Sequence, residues 1–310
     1  MDAADREKRW AANSSVIGAV ALTGLKLFVG LATGSLGILA EAAHSALDLL
    51  AAITTLFAVR LSSRPADHSH LYGHGKIENL SALFEAALLL VTCVWIIYGA
   101  VRRFFTGAID IEVTVWSFTV MIVSIAVDFS RSRVLSRAAR KYNSQALEAD
   151  ALHFSTDIWS SCVVILGLAC VKLGDLRPQW AWLRYADGVA AVMVGAIVVG
   201  VTWRLGMRTI HALLDAAPAG MQQRIQATAE ALPGILDCHN VRMRYSGARL
   251  FVDVHVLMDG NQTLRQAHDL TEEVERAIQQ IAPDADVTVH PEPADHAAKA
   301  SSASGNAGAV

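Results

Sequence analysis

Residues 80–101 read LSALFEAALLLVTCVWIIYGAV, an apolar stretch in which Glu85 is the one charged residue. A helix needs about 20 mainly apolar residues to cross the hydrocarbon core of a bilayer, so this stretch predicts a transmembrane helix. Stretches of the same kind lie at 14–36, 38–61, 113–135, 146–171 and 188–205. The sequence therefore predicts an α-helical membrane protein with six transmembrane helices.

The overall composition agrees with a membrane protein. Of the 310 residues, 53% are hydrophobic and 18% are charged, and the mean hydropathy is +0.37. In a typical soluble domain about 25% of the residues are charged. We expect three parts: a six-helix transmembrane domain at 1–211, a soluble domain at 212–296, and a disordered tail, rich in Ala, Ser and Gly, at 297–310.

The soluble domain has a readable order of elements. Helical periodicity covers 218–232, and an amphipathic helix covers 263–281. Alternating β-branched residues predict strands at 238–245, 250–258 and 285–290, the first two joined by a hairpin turn. The order α-β-β-α-β predicts a small ferredoxin-like α+β domain, an open sheet with its helices on one face.

Charge placement predicts the orientation. Six spans put both termini on one side of the membrane, and that side carries most of the Lys and Arg, including the basic stretch 131–141. Positive loops stay in the cytoplasm, so both termini, and the soluble domain, are expected to be cytoplasmic in a multi-pass protein of the inner (cytoplasmic) membrane. The net charge of −3 gives no reason to expect a nucleic-acid partner.

Two segments carry ionisable side chains into the predicted spans. The second span contains EAAHSALD and the fifth contains ADALHFSTD. Both place a His and an Asp four residues apart, namely His44 and Asp48 in the second span and His153 and Asp157 in the fifth. Residues four apart share one face of a helix, so two facing helices would offer two imidazole nitrogens and two carboxylate oxygens. That tetrahedral donor set suits zinc better than magnesium or calcium.

The cost of burying these groups supports a shared purpose. An ionisable side chain at mid-membrane costs about 2.5–3.5 kcal/mol on insertion scales. Four at matched spacing are hard to explain unless they serve one another or an ion. The alternative is that each one hydrogen-bonds a neighbouring side chain or the backbone.

At these motifs the sequence resembles the cation diffusion facilitator family, from GSLGILAEAAHSALD through GHGK to the C-terminal VHPEP. The resemblance implies that the two paired helices carry the transport site, with His44, Asp48, His153 and Asp157 as ligands. The bacterial iron and zinc efflux branch usually has Asp where this chain has His44. An imidazole there disfavours manganese and ferrous iron and favours zinc, with cadmium or cobalt as further candidates.

The loop between the second and third spans contains PADHSHLYGHG. Its spacing allows Asp67, His70 and His74 to hold one metal ion, with His68 as a spare donor. Solvated loop histidines are the alternative. Similar proteins bind a metal at these Asp and His positions, which implies a loop site that serves capture, gating or stability.

The soluble domain carries four histidines and a nearby carboxylate, namely His239, His255, His268, His290 and Glu292. Scattered histidines are usually surface residues, and the spacing alone favours that interpretation. The resemblance implies instead that these residues are ligands of a two-metal site that bridges a homodimer. Family members often have Asp at the position of Glu292.

Further charged residues match or depart from the family pattern. Lys76 in GHGK and Asp215 in LLDAAP match family positions, and an ion pair between them is the hypothesis; ordinary interfacial charges are the alternative. Lys26, Glu85 and Asp128 lie in predicted spans outside the motif. Pairing with one another, snorkelling and proton relay are the alternatives for these three.

The resemblance implies a secondary active transporter, not an enzyme. The expected function is export of Zn2+ (with Cd2+, Co2+ or Fe2+ as alternative cargo) from the cytoplasm in exchange for protons, by alternating access. Zn2+ is expected both as cargo and as a regulatory ion. A membrane metalloenzyme is the first competing class, but the sequence has no HExxH motif. A non-transporting sensor is the second, and the intact four-residue set argues against it.

Overall fold

The computed structural model describes residues 3–106, 115–176 and 186–294. The chain divides into two compact units, Met1–Ile210 and His211–Val310. The predicted tail at 297–310 lies outside the described residues, so its disorder stays a prediction.

Long helices build the first unit throughout its described part. They are α1 (Ala3–Thr33), α2 (Leu36–Ser62), α3 (Lys76–Thr106), α4 (Val115–Tyr142), α5 (Gln145–Leu176) and α6 (Ala186–Leu213). Four segments of the described chain are long and apolar enough to cross a membrane, namely Ala3–Thr33, Glu41–Ser62, Lys76–Trp95 and Val192–Leu213. The helix α4 ends in the basic stretch 131–141, which shortens its apolar part. The prediction of six spans is therefore supported in part.

The packing of the helices brings α2 and α5 together. The helix α1 packs on α2 and α4, whereas α5 packs on α2, α3 and α4. Small side chains such as Ala12, Ala139 and Ala146 are buried in this packing around Phe154. Small residues let helix backbones approach closely. The helix α5 thus has neighbours on several sides and presents one face to α2.

The turns at the ends of α2 have local causes. Gly34 adopts a positive φ of 67° between α1 and α2, which glycine does without steric cost. Ser35 then caps α2, since its side chain accepts a hydrogen bond from the amide of Ile38. At the other end, Gly73 with φ 75° turns the loop at 63–75 back toward the start of α3.

The second unit has the predicted order α-β-β-α-β. Its elements are α7 (Met221–Glu230), β1 (Ile235–Ser246), β2 (Arg249–Met258), α8 (Leu264–Ile281) and β3 (Asp286–Pro293). The strand β2 lies in the middle, antiparallel to β1 and parallel to β3. The predicted hairpin turn is confirmed between β1 and β2, where Gly247 has a positive φ of 63°.

One face of this sheet forms the hydrophobic core. Val254 and Val256 of β2 are fully buried against Val274 and Ile278 of α8, and α7 joins the same core. Successive side chains of a strand point to opposite faces. His255 lies between the two buried valines, so its side chain points away from the core.

Candidate functional site

The four His and Asp residues of the helical unit converge where α2 faces α5. His153 Nε2 lies 3.0 Å from Asp48 Oδ1 and 3.6 Å from Asp157 Oδ2. His44 Nε2 lies 3.9 Å from the same Asp48 oxygen. The i, i+4 spacing that aligns each pair on its helix and the contact between α2 and α5 together account for the cluster.

This cluster has the geometry of a candidate metal site. Ligand atoms of His44, Asp48 and Asp157 all lie within 4.8 Å of one another, and His153 contacts both carboxylates. Asp48 and His153 are buried, whereas the His44 side chain is 40% exposed. Two imidazoles and two carboxylates on rigid helices are a fitting donor set for Zn2+. The partly exposed His44 leaves one edge of the site uncovered by the chain.

Three ionisable residues of the helical unit that lie outside the sequence motif have partners in the structure. Lys26 Nζ donates to Ser45 Oγ at 2.8 Å and pairs with Glu41 at 3.2 Å. Asp128 pairs with a guanidinium nitrogen of Arg131 at 3.2 Å. Glu85 accepts a hydrogen bond from the hydroxyl of Thr55 on α2.

The loop at 63–75 gathers its predicted ligands. Asp67 Oδ1 lies 3.3 Å from His70 Nδ1, and Asp67 Oδ2 lies 3.5 Å from His74 Nε2. Ligand atoms of the three residues fall within 4.8 Å of one another. One carboxylate and two imidazoles can hold a divalent ion with a position left for water.

Hydrogen bonds from two backbone amides favour the ionised form of Asp67. Its Oδ1 accepts from the amides of Ser69 and His70, at 2.9 and 2.7 Å. These bonds, with that of His70 the strongest cause, hold the pKa of the Asp67 carboxyl below its ordinary value. Asp67 is therefore ionised, as a metal ligand must be, over a wider pH range than a free Asp.

In the second unit, three histidines form a row across the sheet. His239 of β1 is the register partner of His255 of β2, which is in turn the partner of His290 of β3. The ring centroids lie 5.7 Å apart in the first pair and 4.7 Å apart in the second. Paired residues of neighbouring strands point to the same face. The row therefore occupies the sheet face opposite the core.

Glu292 completes this row. Its carboxylate lies 2.7 Å from His255 Nδ1, 3.4 Å from His239 Nε2 and 3.8 Å from His290 Nε2. The hydrogen bond from His255 is the main cause that lowers the pKa of Glu292. Ligand atoms of His239, His255 and Glu292 lie within 4.8 Å of one another, so these three are the best-placed donors.

His268, the remaining histidine in this prediction, lies apart from that group. Its Nε2 lies 3.4 Å from Glu272 Oε1 on its own helix, α8, and its side chain is 69% exposed. Within the part of one chain that the structure describes, the residue is not brought to the histidine row. A role in a metal site shared between two chains stays a prediction.

Lys76 and Asp215 lie in different units, and the ion pair between them stays a prediction. Lys76 begins α3. Asp215 adopts a positive φ of 60°, and its Oδ2 lies 3.8 Å from a guanidinium nitrogen of Arg244 in its own unit.

Two residues that contact the histidine row, and one buried carboxylate of the helical unit, were not predicted from the sequence. Asp237 accepts from His239 Nδ1 at 2.8 Å, and Asn240 lies 3.2 Å from His255 Nε2 beside the register shift in β1. Glu78 is buried and accepts from Lys8 at 3.0 Å and Ser62 at 2.9 Å. The i, i+2 spacing of Asp237 and His239 was a usable signal, whereas Asn240 and Glu78 gave none.

Two models of known protein families together match almost the whole chain. The family model described as the cation efflux transmembrane domain matches residues 14–214. The model described as the cation efflux protein, cytoplasmic domain, matches residues 217–294.

Individual relatives agree with these two family matches. The cation-efflux pump FieF of Shewanella oneidensis is 32% identical over 284 residues, which are 91% of this chain and 93% of that protein. The pump of the same name from Yersinia pestis is 33% identical over 296 residues, or 92% and 93%. Among solved structures, MamM-CTD 215-293 is 30% identical, and the match covers 24% of this chain and 94% of that one with a TM-score of 0.23.

Proposed function

The chain belongs to the cation diffusion facilitator family of cation efflux proteins, and on that premise we propose that it exports Zn2+ from the cytoplasm in exchange for protons. Cd2+, Co2+ and Fe2+ are the alternative cargo. The relatives named above are cation-efflux pumps, which supports the outward direction.

One observation carries the proposal: His44, Asp48, His153 and Asp157 meet between two helices of the membrane domain. Magnesium and calcium prefer shells made of oxygen alone, whereas two imidazoles beside two carboxylates favour zinc. The position of His44 is the selective element. A carboxylate there would make the site harder and more acceptable to ferrous iron.

The same four residues supply the coupling to protons. A metal ion needs neutral imidazole and ionised carboxylate, so protons and zinc compete for the same atoms. When the site opens outward, protons that bind to His and Asp displace zinc to the outside. When it opens inward, zinc from the cytoplasm displaces those protons. Imidazole titrates near neutral pH, so both steps proceed at ordinary proton concentrations.

The proposal includes six membrane spans, cytoplasmic termini and a homodimer. The loop residues Asp67, His70 and His74 would receive zinc on the cytoplasmic side. Zinc held by His239, His255, His290 and Glu292, with His268 from the region of α8, would tighten the dimer at high zinc. A ligand that binds one state better shifts the population toward that state, so cytoplasmic zinc would favour the transporting form.

Transport by the purified protein in liposomes tests the proposal. With a zinc-sensitive dye inside, an acidic lumen should drive zinc uptake, and a protonophore should slow it. Asp157→Ala should lower the rate by at least about 100-fold, because loss of groups that only support a ligand already costs about 10- to 100-fold.

Glu148→Gln is the matched control. This residue lies on the same helix as Asp157, but it is exposed and pairs with Arg208, so its variant should transport as the parent does. Parent-like transport by Asp157→Ala would contradict the site assignment. A rate that ignores the pH gradient would contradict proton exchange and leave zinc export standing.

A further inference from the structure

An open groove of about 470 Å³ lies on the surface of the helical unit between α4 and α5. Its lining residues come from 129–140 of α4 and from 155–159 of α5. The short turn at 143–144 joins the two helices, which pack against each other, so they run antiparallel. Small-molecule sites commonly measure about 300–1,000 Å³, so the groove has the size of a binding site.

Three arginines of α4 line this groove, namely Arg133, Arg137 and Arg140. Spacings of four and three residues place them on one face of the helix, and all three are exposed. Within the described part of the chain, none of the three has a carboxylate partner. Like charges at these spacings repel one another, so a bound anion would stabilise this face.

The other basic residues of the same stretch are paired within the chain. The stretch 131–141 holds five basic residues, of which two lie outside the groove. Arg131 pairs with Asp128 at 3.2 Å, and Lys141 pairs with Glu7 at 2.6 Å. A general excess of basic residues on the cytoplasmic side explains why the stretch is basic. It does not explain why the three arginines without a carboxylate partner are the three that share the groove.

The remaining wall of the groove is apolar and aromatic. It includes Phe129 of α4 with Ile158 and Trp159 of α5, and the two aromatic residues are 55% and 63% exposed. The guanidinium of Arg133 lies 6.0 Å from the centroid of the Phe129 ring, so the basic and apolar walls meet. Both helices lie in the region that matches the transmembrane domain model. Exposed aromatic rings in such domains are enriched at the level of the lipid headgroups.

We propose that this groove binds an anionic phospholipid, with the phosphate on Arg133, Arg137 and Arg140 and the upper part of the acyl chains on Phe129 and Trp159. A guanidinium matches the geometry of a phosphate with two parallel hydrogen bonds. Basic pockets between membrane helices on the cytoplasmic side are a known setting for anionic headgroups. A free phosphate would leave the apolar wall uncovered, which favours the lipid. This inference rests on the membrane placement of α4 and α5 in the proposed function.

A lipid in this groove would contact the helix that carries two of the candidate transport ligands. Asp157 directly precedes the lining residues Ile158 and Trp159 on α5. The lining residue Ser132 of α4 donates a hydrogen bond to the carbonyl of Ala151 on α5 at 2.9 Å, which joins the two walls. A bound lipid would add a second contact between these walls and so hold α4 against α5.

Lipid binding by the purified full-length protein tests the inference without zinc. Native mass spectrometry of the protein in detergent, titrated with phosphatidylglycerol or phosphatidylcholine, gives a dissociation constant for each lipid. The parent should prefer phosphatidylglycerol, and a parent without this preference overturns the inference. The variant Arg133→Gln/Arg137→Gln/Arg140→Gln should bind phosphatidylglycerol on the order of 100-fold more weakly, because each Arg near an anionic lipid contributes about fivefold. Competition by equal concentrations of sn-glycerol 3-phosphate, which has no acyl chains, would overturn the lipid assignment.

A variant with the same change in net charge is the matched control. Arg6→Gln/Arg64→Gln/Arg204→Gln removes three exposed arginines of the helical unit that lie outside the groove, and it should keep the parental preference. An equal loss in both variants would mean a diffuse attraction to the basic surface and overturn the inference. A groove variant that kept the parental preference would also overturn it, and the arginines would then serve another anion, such as an acidic segment of a protein.

Fluorescence quenching keeps the test decisive if the groove variant does not fold. Phosphatidylglycerol with brominated acyl chains should quench the tryptophans of the parent more than brominated phosphatidylcholine does. Trp159→Phe should abolish this excess, and an excess that survives in Trp159→Phe would overturn the inference. Failure of the parent to exchange zinc for protons in liposomes would contradict the proposed function separately, because lipid binding is measured without zinc.

Discussion

The helical site and the histidine row hold similar donors on different scaffolds. In the membrane domain, each pair of candidate ligands comes from one helix, and two of the four residues, Asp48 and His153, are buried. In the second unit, the candidate ligands come from three strands, and the side chains of His239 and His290 are 41% and 64% exposed. The first site is therefore largely enclosed by the chain, whereas the second is more open to its surroundings.

The two scaffolds explain why the sequence predicts the helical site better than the histidine row. On a helix, residues four apart share a face whatever the rest of the fold does. On a sheet, two residues meet only if the strands pair in one register, and a shift by one residue sends a side chain to the other face. The spacing of His239, His255 and His290 along the chain contains no such information.

The largest expected difference is between loss of a helical ligand and loss of a sheet ligand. His153→Ala should lower zinc transport in liposomes by more than about 100-fold, since it removes a transport ligand. His255→Ala should change the rate at saturating zinc by less than about threefold, because a regulatory ligand shifts a population and not the transport chemistry. Equal losses in both variants would contradict the division into transport and regulatory sites.

Protection of the second unit from hydrogen exchange by bound zinc should depend on the histidine row and not on the helical site. A ligand at 100 times its dissociation constant stabilises the folded state by about 2.7 kcal/mol. Zinc should therefore slow hydrogen exchange in β1, β2 and β3 of the full-length protein. His255→Ala should abolish that protection, and His153→Ala should retain it. Protection that survives in His255→Ala would place the metal elsewhere.

The sequence predicted much of the fold from local patterns. The order of elements in the second unit followed from periodicity, and the HxxxD pairs on α2 and α5 followed from helical spacing. The sequence could not reveal that Glu85 meets Thr55 of α2, or that Asp150 meets Ser15 of α1, because only packing brings these helices together. Arg131 looked like one more residue of a basic stretch, yet it is buried against Phe154.

His44 is the most exposed of the four candidate ligands between α2 and α5, and metal selectivity tests its role. His44→Asp replaces an imidazole with a carboxylate, so the preference for zinc over Fe2+ should fall by about tenfold. Competition transport assays with Zn2+, Fe2+, Cd2+ and Mn2+ measure this ratio. His290→Asp in the second unit is the control and should leave the selectivity of transport unchanged. An unchanged profile in His44→Asp would overturn the role given to this residue.

The smallest expected effect is the acid sensitivity that Glu292 gives to the histidine row. Its folded pKa lies below the ordinary value of 4.5, mainly because His255 donates a hydrogen bond to it. A depressed acid pKa stabilises the folded state above the unfolded value, and this contribution is lost as the pH falls through the folded pKa. The group is partly exposed, so the contribution is less than about 1 kcal/mol.

Glu292→Gln should therefore reduce the loss of stability that the zinc-free second unit shows below about pH 4.5. Hydrogen exchange of its strands would measure this loss. Asp259→Asn, in the turn after β2, is the control and should keep the acid dependence of the parent. If the stability of Glu292→Gln still fell at acid pH as in the parent, the histidine row would be held by its strands and not by its carboxylate. The contrast with the helical site would then rest on backbone register alone.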